Sequence, residues 1–394
     1  MSQSEVHKVS VIARVRITLA MICTTGLGYW PLYVMPFVVG ALVENLHLSG
    51  AQAGFVATTE LAAAALTAFF GAGLAARAKR PGRLALLSAL FIALANLASA
   101  GVSGYFPLII LRALTGLGEG VALALGAAAL GRVDGPDRYY ALVMVGRGLT
   151  GTAMIPIIAY AIRLFEHKGA FAFLAITPII LAPFVIGLPN GAEGSSREAP
   201  SATQEASFSH SAASILLLSA VFFLSLGEAT WYTFIERRGA EIGLSIEAIA
   251  NVLAIATISG IAGAAIPALL GQRAGRAVPI FAGMLVVLAS GAASLLTGGV
   301  MTYSIANAVF TIGFAIVIPF SFGVSTVLNR SGSLSAALGS MIVAGYVVGP
   351  SLAGVTLTRG GYESLAFLFA CIVFIAIIAF VALFLSRTYR EARL

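Results

Sequence analysis

Charge is scarce in this sequence: Lys and Arg number 23 and Asp and Glu 16 among 394 residues, or 10%, where a soluble domain carries roughly 25%. So little polar matter cannot coat a water-facing surface of this size, which excludes an ordinary soluble globular protein. Cysteine is nearly absent. Cys23 and Cys371 both fall inside apolar runs, so no disulfide framework is expected and the redox compartment cannot be read from them. Strict alternation of polar and apolar residues is also missing. Runs such as Ala62 to Leu74 and Ile372 to Leu385 are apolar on every side, which argues against a membrane β-barrel and for helical spans. The start, MSQSEVHKVSVIARVR, is basic but leads into an apolar stretch without a small-residue cleavage site, so it reads as a retained first helix.

What is present is a series of apolar windows, each long enough for a helix of ~20 residues to cross a bilayer. They lie near 15–42, 52–75, 84–104, 108–130, 139–161, 170–189, 212–235, 247–270, 278–297, 302–328, 336–357 and 363–386. With the N-terminus inside, the inner segments hold 16 Lys and Arg and the outer ones five: Arg163, Lys168, Arg237, Arg238 and Arg359. That asymmetry places both termini in the cytoplasm. It also accounts for the net charge of +7 without nucleic acid, since no basic stripe is interleaved with aromatic residues. The segment Asn190 to Ser209 is small, polar and rich in Pro and Ser, as a linker is. It separates six spans from six: 1–189 forms one predicted bundle, 190–211 a cytoplasmic linker and 212–394 the second bundle. At an offset of 196 residues Leu48-Ser49 matches Leu244-Ser245, Arg77-Ala78 matches Arg273-Ala274 and Arg80 matches Arg276, which suggests duplicated halves.

Three motifs then stand out. Gly71-Ala-Gly-Leu-Ala-Ala-Arg77-Ala-Lys79-Arg80-Pro-Gly-Arg83 follows the second span, Gly271-Gln272-Arg273-Ala-Gly275-Arg276 follows the eighth, and Arg112-Ala-Leu-Thr-Gly116-Leu-Gly118-Glu119-Gly120 lies in the fourth. Together they resemble the signature loops and Arg-Gly motif of the major facilitator superfamily. The resemblance implies an all-α polytopic membrane protein of twelve transmembrane helices in two pseudo-symmetric six-helix bundles. It further implies a monomeric secondary transporter of a small-molecule substrate, coupled to protons, in the lipid bilayer of a bacterial inner membrane, with no cofactor. Arg77, Arg80, Arg273 and Arg276 take the gating positions of the family loop. Ala76 and Gln272 stand where that loop usually carries Asp, and the Gly-Pro-x-x-Gly-Gly run of many drug antiporters is missing from the fifth span.

Ionisable groups deep in a span cost at least ~2.5 kcal/mol each and are functional candidates by default. Five qualify: Glu60, Arg112, Glu119, Arg147 and Glu228. Arg112 and Glu119 lie two helical turns apart, and depth from the outer face suggests two pairs, Glu60 with Arg112 and Glu119 with Arg147. Such pairs serve equally well as clamps between helices or as parts of a transport site. Arg147, between Gly146 and Gly148, has room to receive a carboxylate, phosphate or sulfonate. Glu228 has no ionisable partner at depth in its own half, and a desolvated carboxyl without a counter-charge is a candidate proton carrier, as are Glu60 and Glu119. The resemblance places spans one, four, seven and ten around a central cavity, which makes Tyr29, Trp30, Tyr33, Trp231, Tyr232 and Tyr346 candidates to line it; Asn307 is a candidate for a hydrogen bond there or for a tie between two helices. Tyr29 and Tyr33 share a helix face, whereas Trp231 is expected in the aromatic belt at the outer boundary.

A membrane enzyme is the rival class. Gly101-Val-Ser103-Gly104 resembles a rhomboid-type nucleophile motif, but no later span holds a His to serve it, and no metal-ligand cluster or phosphate-binding loop is evident. A channel would not need a duplicated half. The favoured reading is transport of an organic anion. The alternative is proton-driven export of cationic or amphipathic compounds using Glu60 and Glu228.

Overall fold

The computed structural model describes residues 3–133, 136–190, 211–270, 275–329 and 333–389, with side chains described from residue 13 onward, except those of 136–138, 268 and 270. These residues are helical apart from short connections, with no strand among them. The elements are α1 (Gln3–Asn45), α2 (Gly50–Arg77), α3 (Pro81–Ala100), α4 (Tyr105–Leu130), α5 (Pro136–Val185), α6 (Ala212–Thr233), α7 (Ile235–Glu241), α8 (Ile246–Gly263), α9 (Ala265–Leu270), α10 (Ala277–Leu296), α11 (Val300–Leu328) and α12 (Ser333–Leu385). Ten helical stretches are long and apolar enough to cross a membrane. Local chemistry sets several ends. Pro81 opens α3, where its missing N–H costs nothing. Ser211 and Ser245 accept from the backbone N–H groups of Ser214 and Ala248 at the starts of α6 and α8.

Two predicted pairs of spans are each joined into a single helical element. In α5, 50 residues long, the backbone leaves helical geometry only at Phe165 and Glu166. A Cβ on Gly169 would collide with the Ala161 carbonyl. Eight residues of straight helix span ~12 Å, so the chain folds back there. In α12, 53 residues long, the break is Gly361, at φ 66°, a left-handed conformation that glycine adopts without strain. Gly345 abuts Ser225 of α6, and Gly227 of the same helix faces Val373. Residues 345 and 373 would be ~42 Å apart along one straight helix, so α12 reverses as well. Sequence windows split these segments because the reversals carry polar residues, but each turn is only one or two residues long.

The chain divides into two compact units, Met1–Ala41 with Thr59–Ala202 and Leu42–Thr58 with Thr203–Leu394. In the first, glycines of α4 let helices touch: a Cβ on Gly116 would strike the Glu60 carbonyl, and one on Gly120 the Ala64 carbonyl, both on α2. In the second, Gly345 and Gly349 of α12 press in the same way on the α6 backbone. The core of the second unit is aromatic. Trp231 is only 1% exposed, stacks on Phe310 at 3.7 Å between ring centroids and donates to Ser294 Oγ at 2.7 Å. This corrects its expected place in a boundary belt: the indole satisfies its N–H inside the bundle. Large apolar side chains such as Phe69, Leu74 and Phe106 are exposed, as lipid-facing surface requires.

Candidate functional site

The first unit contains a buried charge cluster. Glu60 projects from α2, Arg112 and Glu119 from α4, and they are 8%, 0% and 1% exposed. Arg112 Nη1 donates to Glu60 Oε1 at 3.1 Å and Nη2 to Ser99 Oγ of α3 at 2.6 Å, while the guanidinium lies 4.7 Å from the centre of the Phe171 ring of α5. Glu119 stands close enough to Glu60 and Arg112 to interact with both electrostatically. Gly116, between Arg112 and Glu119 along α4, makes this possible by bringing α2 into backbone contact. Two turns of helix separate Arg112 from Glu119, but Glu60 is held alongside the interval and reaches both.

The cluster sets two buried carboxyl groups beside one guanidinium, one acid more than that cation can balance when both are ionised. Glu119 Oε1 and Arg112 Nε have no protein partner. The arrangement can hold a proton, and has polar atoms to spare when that proton leaves.

Arg147 is not paired with Glu119, contrary to the depth argument. Its guanidinium sits 3.6 Å from the centre of the Tyr29 ring, an attraction to the negative ring face. Trp30 Nε1 donates to the Arg147 carbonyl at 3.1 Å, fixing α1 to α5 at that level. The side chain's one hydrogen-bond acceptor is Met144 Sδ at 3.3 Å, a weak one, and Nε is buried without a partner. Among the described residues Arg147 makes no ion pair. Tyr33, one turn beyond Tyr29, lies against Gly151, one turn beyond Arg147.

In the second unit Tyr346 Oη of α12 donates to Glu228 Oε2 of α6 at 2.5 Å. Sequence depth found no charged partner for Glu228; the structure supplies a phenol. Both residues are half-buried. Ser225, one turn before Glu228, has a buried hydroxyl with no partner. Asn307 is fully enclosed within α11's packing and donates to the Tyr303 carbonyl at 2.8 Å.

Of the gating candidates, Arg77 ends α2 and Arg80 precedes α3, both exposed, while Arg276 precedes α10 and lays the base of its guanidinium on Gly323. Arg273 lies outside the described residues. A residue counted only as an inside charge does more. Arg132, just past α4, donates through Nη2 to the Ala75, Ala76 and Ala78 carbonyls at 3.0, 2.9 and 3.3 Å. Its Nη1 reaches the Pro189 carbonyl at 3.3 Å. It thus closes the end of α2 and ties it to the last residues of the unit. Burial lowers the guanidinium's pKa from its ordinary value. The sequence signal was the charge itself; its target is a helix end more than fifty residues away. Glu236, buried beside Arg237, was likewise missed.

The geometry invites comparison with known carriers. A comparison with curated protein sequences gives no match. Solved structures are similar along nearly the whole chain. A variant of the nucleoside transporter NupG shares 14% identity and a TM-score of 0.76, covering 94% of this chain and 99% of its own. A bacterial homologue of the human lysosomal transporter Spinster, inward-facing and unoccupied, gives 16% and 0.75, with 96% and 98% covered. A D-xylose–proton symporter gives 15% and 0.69, with 94% and 97% covered. At such identities the likeness concerns the fold. The model of the Major Facilitator Superfamily matches residues 18–332, most of the sequence. A polytopic helical membrane protein with buried intramembrane charge and this family match is a transporter and not an enzyme: the chain belongs to the major facilitator superfamily.

Proposed function

We propose that the chain is a proton-coupled secondary transporter of a small organic anion, alternating access between two six-helix halves, 1–189 and 212–394, joined by the cytoplasmic linker 190–211. Counting each side of the reversals in α5 and α12 as a crossing gives the twelve spans this reading needs. Positive charge concentrated on one side supports cytoplasmic termini in a bacterial inner membrane. A monomer suffices, because both halves lie on one chain.

One observation carries the coupling: two buried carboxyls, Glu60 and Glu119, stand beside the single guanidinium of Arg112, a surplus acid that a proton would neutralise in the bilayer interior. When that proton leaves, two carboxylates face one guanidinium, and the cost of the extra buried charge couples protonation to helix movement. The fold is shared with a D-xylose–proton symporter, so proton coupling has a precedent on this scaffold. Arg147, a cation without an anion, favours an anionic solute.

The test is solute-driven acidification or alkalinisation in proteoliposomes loaded with a pH-sensitive dye. Wild type moves protons with its solute; Glu119→Gln, which keeps the side chain's size and polarity but cannot take up or release a proton, binds solute without moving protons. Equal proton flux in the variant rejects the assignment. A second reading, export of amines, draws on Glu228, whose carboxyl is met by the Tyr346 phenol and by no cation among the described residues. Proton flux driven by a cationic panel and abolished in Glu228→Gln would support it.

A further inference from the structure

Arg147 and the Tyr29–Tyr33 face of α1 form a two-rung ladder with α5. On the first rung the Arg147 guanidinium lies on the Tyr29 ring. On the second the Tyr33 ring lies on Gly151, where a Cβ would overlap it. Both steps are four residues along a helix, so the rungs are ~6 Å apart.

We infer that this ladder binds an aromatic monocarboxylate, its carboxylate on Arg147 and its ring beside Tyr33. The inference rests on the transport reading only in supposing that solute reaches the site. Charge sets the ionic class. Among the described residues Arg147 is the one deep guanidinium of the first unit without an acid, since Arg112 is held by Glu60. A single half-buried cation is neutralised by a monoanion, whereas a dianionic phosphate would leave a charge uncompensated. Geometry sets the head group: a guanidinium whose face is covered by a ring presents its N–H edge, which suits a coplanar carboxylate. Its weak bond to Met144 Sδ is readily exchanged for a charge-assisted one.

The neighbourhood sets the body. Two neutral donors beside Arg147 are already engaged: the Trp30 indole on the Arg147 carbonyl, and the Thr150 hydroxyl on the Gly146 and Arg147 carbonyls at 2.7 and 3.1 Å. A polyhydroxylated body would forfeit its hydrogen bonds with water for little return. A flat apolar ring forfeits none, and Tyr33 offers an aromatic partner at the right spacing.

The test uses the full chain in detergent and the fluorescence of Trp30, read in a Trp231→Phe background so that one indole reports. Probes are benzoate, acetate, benzamide, benzylamine and inorganic phosphate. Benzoate should saturate, acetate should bind at least ~10-fold more weakly, and the other three should not bind. Arg147→Gln should lower benzoate affinity at least ~10-fold and Arg147→Lys less, since an ammonium retains charge without the fork. Tyr33→Ala should cost benzoate its advantage and leave acetate unchanged. Thermal unfolding of each variant confirms that it folds.

Benzoate binding equal in Arg147→Gln, or a preference for phosphate, benzamide or benzylamine, overturns the inference. If another solute drives proton movement while benzoate does not bind, the carrier reading stands and this site fails. Benzoate binding without proton movement leaves the site and sinks the coupling.

Discussion

At the residue scale the molecule turns on unequal partnerships. Arg112 is enclosed by Glu60, Ser99 and Phe171, so removing it leaves a buried carboxylate with no counter-charge. Arg112→Ala should destabilise the chain by about 3–5 kcal/mol, seen as a large drop in melting temperature in detergent. Glu119→Gln should move stability by less than ~1 kcal/mol, because the swap keeps the side chain's size and leaves the Arg112–Glu60 pair intact. If the two variants melt alike, the cluster does not carry the charge balance derived above. Depth along the sequence was enough to match Glu60 with Arg112. It could not place Glu119 or Arg147, because counting residues gives height and leaves the direction around the helix open. A carboxyl paired with a carboxyl, or a guanidinium paired with a ring, is also invisible to a search for opposite charges. Trp231 was misplaced for the same reason: its height is near the outer boundary, but its direction is inward.

At the element scale, small residues decide which helices can touch. Gly116 and Gly120 on α4 admit the α2 backbone, and the contact is also what delivers Glu60 to Arg112. Gly116→Val should cost about 1–3 kcal/mol by overpacking. It should also remove solute-driven proton flux in the molecules that fold, a loss that packing damage elsewhere in α4 would not produce. Arg132 is the corresponding device at a helix end. Its fork satisfies carbonyls that α2 cannot, so Arg132→Ala should speed amide hydrogen exchange in residues 72–78. Arg132→Lys should restore only part of the protection, because an ammonium lacks the planar fork. Uniform exchange across α2 in both variants would refute the capping role. The sequence displayed the apolar windows and the basic loop, so most helices were legible from composition. The reversals at Glu166 and Gly361 were legible only as gaps between windows, and the tie from Arg132 to α2 depends on tertiary folding that no local pattern encodes.

At the scale of the whole molecule, the division into compact units does not follow the linker alone. Leu42–Thr58, the end of α1 and the start of α2, belongs with the later part of the chain. Its attachments are specific. Arg237 is paired with Glu44, and the Ala51 N–H donates to Thr358 Oγ1 at 2.9 Å. Thr58 Oγ1 donates to the Val347 carbonyl at 2.9 Å, and Gly54 abuts the Pro350 carbonyl. The chain therefore passes between its units at 41/42 and 58/59 as well as through the linker, and cutting the linker removes one of three covalent connections. Fragments 1–189 and 212–394, expressed together, should copurify on a tag carried by either one, held by the 42–58 segment of the first. Gly54→Leu should abolish copurification, since a side chain there has only backbone to displace, whereas Glu44→Gln should reduce it mildly, an exposed ion pair contributing ~1 kcal/mol or less. Fragments that separate without any substitution would mean that the contacts of 42–58 cannot hold once the linker is cut. Equal recovery with Gly54→Leu would place the attachment elsewhere.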